Sequence, residues 1–199
     1  DDAALFADID LNTLAGRAAQ YLGKMRISGG RPPECADCKP NFDGNTELNK
    51  AEFSKFGIIA QLGADFAFNS SATDIKVPWD VDTSAWYWTF LRECIIRGIL
   101  KNNPDGSSRP AEMINTATAL EIIKRLKAPN YTFDKALLNK ADFWTDVTGT
   151  DWWTDAAAFA YEKNLLPHRM KTDGGKFRAD STLTRYETAV IFYQLANSQ

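Results

Sequence analysis

Apolar residues recur at helical spacing in six stretches, separated by segments rich in Gly, Pro, Asn and Asp. In the stretch 83–97, Trp86, Phe90 and Cys94 recur every four residues with Leu91 and Ile95 beside them, which predicts a helix with one buried face. The same spacing predicts helices over 12–26 and 152–163. Three further helices begin at capping signals: Asn49 with Glu52, Asn115 with Thr118, and Thr184 with Glu187. Leu48 against Phe53 forms a hydrophobic staple at the first of these. The intervening loops "ISGGRPPECADCKPNFDGNTE", "ILKNNPDGSSRPAEM" and "LLPHRMKTDGGKFRADST" carry turn residues. Two connectors remain, "GADFAFNSSATDIKV" and "APNYTFDKALLNKAD", the second predicted to hold a short helix.

The six stretches are three copies of one unit. "FADIDLNTL", "PWDVDTSAW" and "FWTDVTGTDW" each place an aromatic residue before Asp and a β-branched residue (Asp8, Asp80, Asp146) and then a helix. "LNKAEFSKF", "INTATALEII" and "LTRYETAVIF" each close a unit with a capped helix. Matching ends, three times over, predict a mostly α fold built from repeat 1 (5–64), repeat 2 (76–128) and repeat 3 (141–197), within a single domain spanning 1–199.

Charge changes the picture at one point. With Thr184 as the N-cap, Arg185 is the first helical residue, where the dipole favours acids rather than cations. The bland reading is an indifferent surface Arg, since the cost is only ~0.3–1 kcal/mol. The sharper one is an anion site made by the guanidinium and the free amides of the first turn. Net charge of −3 and a pI near 5.3 provide no electrostatic footprint for nucleic acid. No run of about 18 apolar residues is present to span a membrane.

The repeats resemble the S-layer homology family, whose unit runs from F-x-D-V and a Trp-led helix, through G-I-x-x-G-x-x-D-G-x-F-x-P, to a T-R-A-E helix start. The middle unit, "DVDTSAWYWTFLRECIIRGILKNNPDGSSRP", places Trp86, Gly98, Asp105, Gly106 and Pro110 at that spacing, and the last keeps "LTRYET". Asn102 stands where the family has its second Gly and is expected to tolerate positive φ. The resemblance implies a three-pronged spindle with pseudo-threefold symmetry. It also implies a secreted, non-catalytic module that anchors proteins to the cell surface or S-layer by holding anionic, pyruvylated-type secondary cell-wall polysaccharide between repeats. The family's helix-start Arg is associated with the ketal carboxylate, an anion suited to a guanidinium fork. Arg185 and Thr184 match that motif. The equivalent residue is Lys50 in the first unit, which lacks the fork, and the uncharged Thr116 in the second. The Trp position holds Leu14, Trp86 and Trp152, so one or two working grooves are expected, centred on Arg185. Asp80, Asp146 and Asn102 join the candidate ligand-binding set by their motif positions. No cofactor or metal is implied.

Indole faces suit sugars, which makes Trp86, Trp152 and Trp153 candidate contacts. Against that, large rings dominate burial, and the core is the commoner place for Trp86 and Trp152, whereas Trp88 and Trp153 lie on other helical faces. Cys35-Ala-Asp-Cys38 reads as a local disulfide or a pair of free thiols, and Cys94 as a buried small hydrophobe. A calcium loop centred on Gly44 fails, because its first and last positions are Lys39 and Lys50. His168 has no partner at readable spacing. Asp151 and Asp155 suit a helix start better than general acid–base work, so an enzyme is the least supported class. A different class, a structural module packing subunits into a surface lattice without glycan, is the alternative.

Overall fold

The computed structural model describes residues 3–68, 75–171 and 175–198. Parts of the first connector (69–74) and of the third unit's loop (172–174) therefore lie outside the described residues. Among those described, the protein is mostly helical and has no strand: α1 (Leu14–Lys24), α2 (Lys50–Leu62), α3 (Trp88–Ile96), α4 (Thr116–Lys127), a 3-10 turn (Lys135–Asn139), α5 (Thr154–Glu162), the single-turn α6 (Pro167–Met170) and α7 (Arg185–Asn197). The 3-10 turn is the short helix expected in the second connector.

All three capped helices start where their sequence signals place them. Asn49, Asn115 and Thr184 accept the N3 amides of Glu52, Thr118 and Glu187, and Glu52 and Glu187 complete capping boxes. Leu48 and Phe53, the expected staple pair, are both fully buried. The other set starts later than periodicity predicts. Helix α3 begins at Trp88 rather than 83, and α5 at Thr154 rather than 152, neither with a side-chain cap. Apolar spacing continues through the preceding turns, where it no longer reports a helix face.

The units interlock through their helix starts. A helix leaves its first amides without intrahelical partners, and here the neighbouring unit's loop accepts them. In α2, Lys50 and Ala51 donate to the carbonyls of Glu112 and Pro110 at 2.9 and 3.0 Å. In α4, Thr116 and Ala117 donate to Ser181 and Ala179 at 2.8 and 2.9 Å, and in α7 Arg185 and Tyr186 donate to Thr46 and Gly44, both at 2.8 Å. Just before these helices, three buried residues close a ring of backbone hydrogen bonds: Leu48 N–H to Leu183 O, Leu183 N–H to Ile114 O, and Ile114 N–H to Leu48 O. Gly44 belongs to this joint, because a Cβ there would lie 2.1 Å from the Tyr186 ring. That close approach accounts for the glycine that superficially suggested a calcium loop.

Helix packing is staggered relative to the sequence repeat. Helix α3 packs on α2 and α5 on α4, and α1 at the start of the chain packs on α7 at its end, where Tyr21 and Tyr193 meet edge to face. Each unit's first helix thus covers the closing helix of another unit. The buried core runs through all of them, from Leu22 and Phe42 through Phe53, Leu91 and Leu120 to Phe177 and Ile191.

Each unit's opening Asp clamps its loop. Asp8 accepts the amides of Phe42 and Asp43, Asp80 those of Ser108 and Arg109, and Asp146 those of Phe177 and Arg178, all at 2.6–2.9 Å. The second residue of each pair is left-handed: Asp43 at φ 54°, Arg109 at 52° and Arg178 at 55°. A non-glycine residue there costs about 1–2 kcal/mol, and the charged hydrogen bond to its own amide offsets that cost. Asp80→Ala is expected to destabilise the fold by about 2–3 kcal/mol in urea denaturation, with Asp80→Asn recovering part of it.

Cys35 and Cys38 are joined in a disulfide, and Cys94 is fully buried. Burial pushes the Cys94 thiol up to about 12, partly opposed by a hydrogen bond with Ser54. Alkylating reagents are expected to label Cys94 only after denaturation, as intact mass before and after urea will show.

Candidate functional site

Three clefts lie beside the three closing helices. The first, of about 200 Å³, is lined by residues 28–31, α2, Arg185 and Trp86. The second, of about 250 Å³, is lined by Ile99, Lys101 and Asn103, by α4, Lys50 and Trp152. The third, of about 320 Å³, is lined by Pro167, His168 and Lys171, by α7, Leu14 and Ala15. In each, a loop and closing helix of one unit face the opening turn of the next, with α1 following α7 for the third.

Arg185 sits in the first cleft but not as an anion site built on helix amides. The first three amides of α7 are taken by Thr46 O, Gly44 O and Thr184 Oγ1, because the inter-unit joint consumes them. The Arg185 side chain is what remains. It is 4% exposed, donates from Nε to Phe42 O at 2.7 Å and from Nη2 to Ser28 Oγ at 3.1 Å, and lies over the rings of Phe42 and Phe56. Two of a guanidinium's five N–H groups are thereby used. Among the described residues, no carboxylate forms an ion pair with it. Burial foremost and then the charge of Arg31 work against its charged form, while Glu52, Asp43 and Asp8 favour it. Lys55 lines the same cleft, and its pKa is lowered by burial and then by Arg185, with Glu52 opposing.

Trp86 and Trp152 are exposed, 57% and 66%, contrary to a core placement. The late starts of α3 and α5 leave both rings on turns ahead of their helices, off the buried face, and on the walls of the first and second clefts. Trp88 and Trp153 are half-buried instead. Trp153 stacks on Phe177 with ring centroids 5.1 Å apart, so it serves packing rather than a cleft.

The remaining candidates fall into the scaffold. Lys50 is buried in the second cleft, where Nζ reaches Ser108 O at 3.0 Å and Glu112 Oε2 at 3.2 Å. Thr184 is the α7 cap. Asp80 and Asp146 spend both carboxylate oxygens on backbone amides. Asn102 does not take the left-handed backbone expected of a Gly replacement. Asn103 and Ser107 close that loop through backbone and side-chain hydrogen bonds instead, so the turn needs no positive φ at Asn102. Its Oδ1 is buried without a hydrogen bond.

Sequence reasoning missed Arg169. At the first two corners, a helix-start cation donates to the first carbonyl of the clamped pair: Arg185 to Phe42 O and Lys50 to Ser108 O. At the third corner Thr116 is too short, and the Arg169 guanidinium enters from α6. It donates to Phe177 O, to Thr116 Oγ1 at 3.1 Å and to Ser181 Oγ at 3.2 Å, and pairs with Glu187 at 3.3 Å. The available signal was register. Arg169 lies five residues after the left-handed Asn164, as Arg31 lies five after the left-handed Arg26.

In the third cleft His168 Nε2 lies 3.0 Å from Glu187 Oε1, the partner its sequence context does not reveal. Burial alone would raise the Glu187 carboxyl, but hydrogen bonds from His168 and the Thr184 amide, with the charge of Arg169, hold it down at about 2. Among the described residues, no group of acids, histidines or cysteines is placed to hold a metal, and no helix is long and apolar enough to cross a membrane. No family model matches the sequence, and no curated protein matches it significantly.

The Glu187 geometry fixes a pH dependence. A carboxyl depressed from its ordinary 4.5 to about 2 contributes stability that is fully present above pH 4.5 and lost as pH falls through 2. Glu187→Gln is therefore expected to cost ~2–3 kcal/mol at pH 6 and to converge on the wild type near pH 2, as urea denaturation across that range will measure.

Proposed function

We propose that the chain is a non-catalytic, secreted module of S-layer homology type. Its three repeats form a three-pronged spindle that anchors a protein to the cell surface by holding an anionic, pyruvylated-type cell-wall polysaccharide. The observation that carries this reading is the Arg185 guanidinium. It is a buried cation without an ion-paired carboxylate among the described residues, and it lines a cleft that the exposed indole of Trp86 also lines. Burial outweighs the help that Glu52, Asp43 and Asp8 give its charge, and a carboxylate-bearing sugar would offset that cost while its ring rests on Trp86. The ring of backbone bonds among Leu48, Ile114 and Leu183, and the cyclic donation of helix-start amides, support the threefold arrangement. Trp152 gives the second cleft a surface for a sugar ring, but Lys50 is paired there with Glu112, so the anionic substituent belongs to the first cleft under this reading.

A lattice-forming role without glycan is the second reading, favoured by Trp79, which is 73% exposed in the opening motif of the second unit. Concentration-dependent light scattering in glycan-free solution distinguishes it.

Purified wall polysaccharide is expected to retain the protein in a pull-down and to lose that retention after mild acid removes its ketals. Trp86→Ala, at an exposed position, is expected to weaken retention about two- to tenfold without changing the thermal midpoint. Arg185→Ala is expected to abolish retention at temperatures where the variant remains folded. Full retention on ketal-free glycan and by Arg185→Ala would remove the reading.

A further inference from the structure

The three clefts share a framework, which makes the molecule its own control. Counting from each closing helix's first residue, the sixth position is Lys55 in α2, Glu121 in α4 and Val190 in α7, and each of these lines its unit's cleft. One position on one scaffold is thus basic, acidic and apolar in turn.

The charge accounting around that position differs accordingly. In the second cleft the inner cations meet acids, Lys50 pairing with Glu112 at 3.2 Å and Glu121 holding Arg125 at 2.7 Å and Lys124 at 3.2 Å, while Lys101 stands exposed at its edge. In the third, Glu187 gathers both His168 and Arg169, and Val190 adds an apolar wall. In the first, Glu52 is shared with Arg31 at 3.5 Å, whereas Lys55 and Arg185 form no ion pair among the described residues. Two like charges in a cleft of about 200 Å³ disfavour one another, and Glu52, which favours both, is already paired with Arg31, so a carboxylate from outside would add the counter-charge that the pair lacks.

We propose that Lys55 is the residue that makes the first cleft selective for an acidic sugar: the ligand's carboxylate is taken between Lys55 and Arg185, while the clefts carrying Glu121 and Val190 at the same position do not prefer an anion. This deepens the glycan-anchoring reading and rests on it. It assigns charge selectivity to a side chain outside the helix-start motif. The half-buried ammonium adds point charge to the oriented guanidinium fork, so each cation supplies what the other lacks.

The test is titration of the full chain with a 4,6-O-pyruvylated methyl glycoside and with its methyl ester, followed by calorimetry and by backbone amide shifts. The wild type is expected to prefer the free acid by about tenfold or more. The acid should shift amides at 28–31 in the first cleft and leave 101–103 in the second unmoved. Lys55→Gln is expected to erase most of that preference while binding the ester as before, with a thermal midpoint equal to or above the wild type's. Lys55→Arg is expected to restore the preference. The proposal is overturned if Lys55→Gln keeps the wild-type ratio of acid to ester, or if the acid shifts the second cleft as strongly as the first. Binding of neither probe by the wild type would remove the glycan reading itself, and this inference with it.

Discussion

Buried helix starts cannot be left with free amides, and the architecture is arranged around meeting that requirement. The caps Asn49, Asn115 and Thr184 satisfy only the third amide of each closing helix. The first two amides find carbonyls in another unit's loop, and the residues ahead of the caps bond to one another in a closed ring. A unit alone would leave these donors, and the apolar face of its first helix, without partners. The units are therefore coupled by hydrogen bonding as well as by the core they share.

The loops that supply those carbonyls must be held in shape, and a carboxylate does so in each unit. Asp8, Asp80 and Asp146 each bind two consecutive amides, the second belonging to a left-handed residue. The carbonyl of the first residue in each pair then receives a cation: Arg185, Lys50 or Arg169. The cation at each corner is thus part of the scaffold before it is part of any binding site. At the corner where Thr116 carries no charge, the guanidinium of Arg169 comes from α6 instead.

Equivalence of the scaffold coexists with divergence of the surfaces built on it. The framework donors and acceptors are buried and mutually dependent, so changing one orphans another. The cleft-lining positions lie outside that backbone hydrogen-bond framework, and they vary from Lys55 to Glu121 to Val190 and from Trp86 to Trp152 to Leu14. Such variation changes what each cleft presents. The first cleft leaves Lys55 and Arg185 outside any ion pair among the described residues, the second pairs Lys50 and Arg125 with acids, and the third is largely apolar.

Local information was enough for the mostly helical character, the caps and the position of Arg185 at a helix start, because capping and periodicity act within a few residues of chain. It misplaced Trp86 and Trp152, whose exposure depends on where α3 and α5 begin, and apolar spacing continues across that boundary. It also credited α7 with free amides, since the carbonyls of Gly44 and Thr46 lie far away in sequence. Arg169 at the Thr116 corner, Glu187 beside His168 and Lys55 beside Arg185 were decided by the tertiary structure alone. Each depends on the staggered packing that sets one unit's loop against another's helix, and no short-range pattern records which side chain fills a gap left by a distant, smaller one.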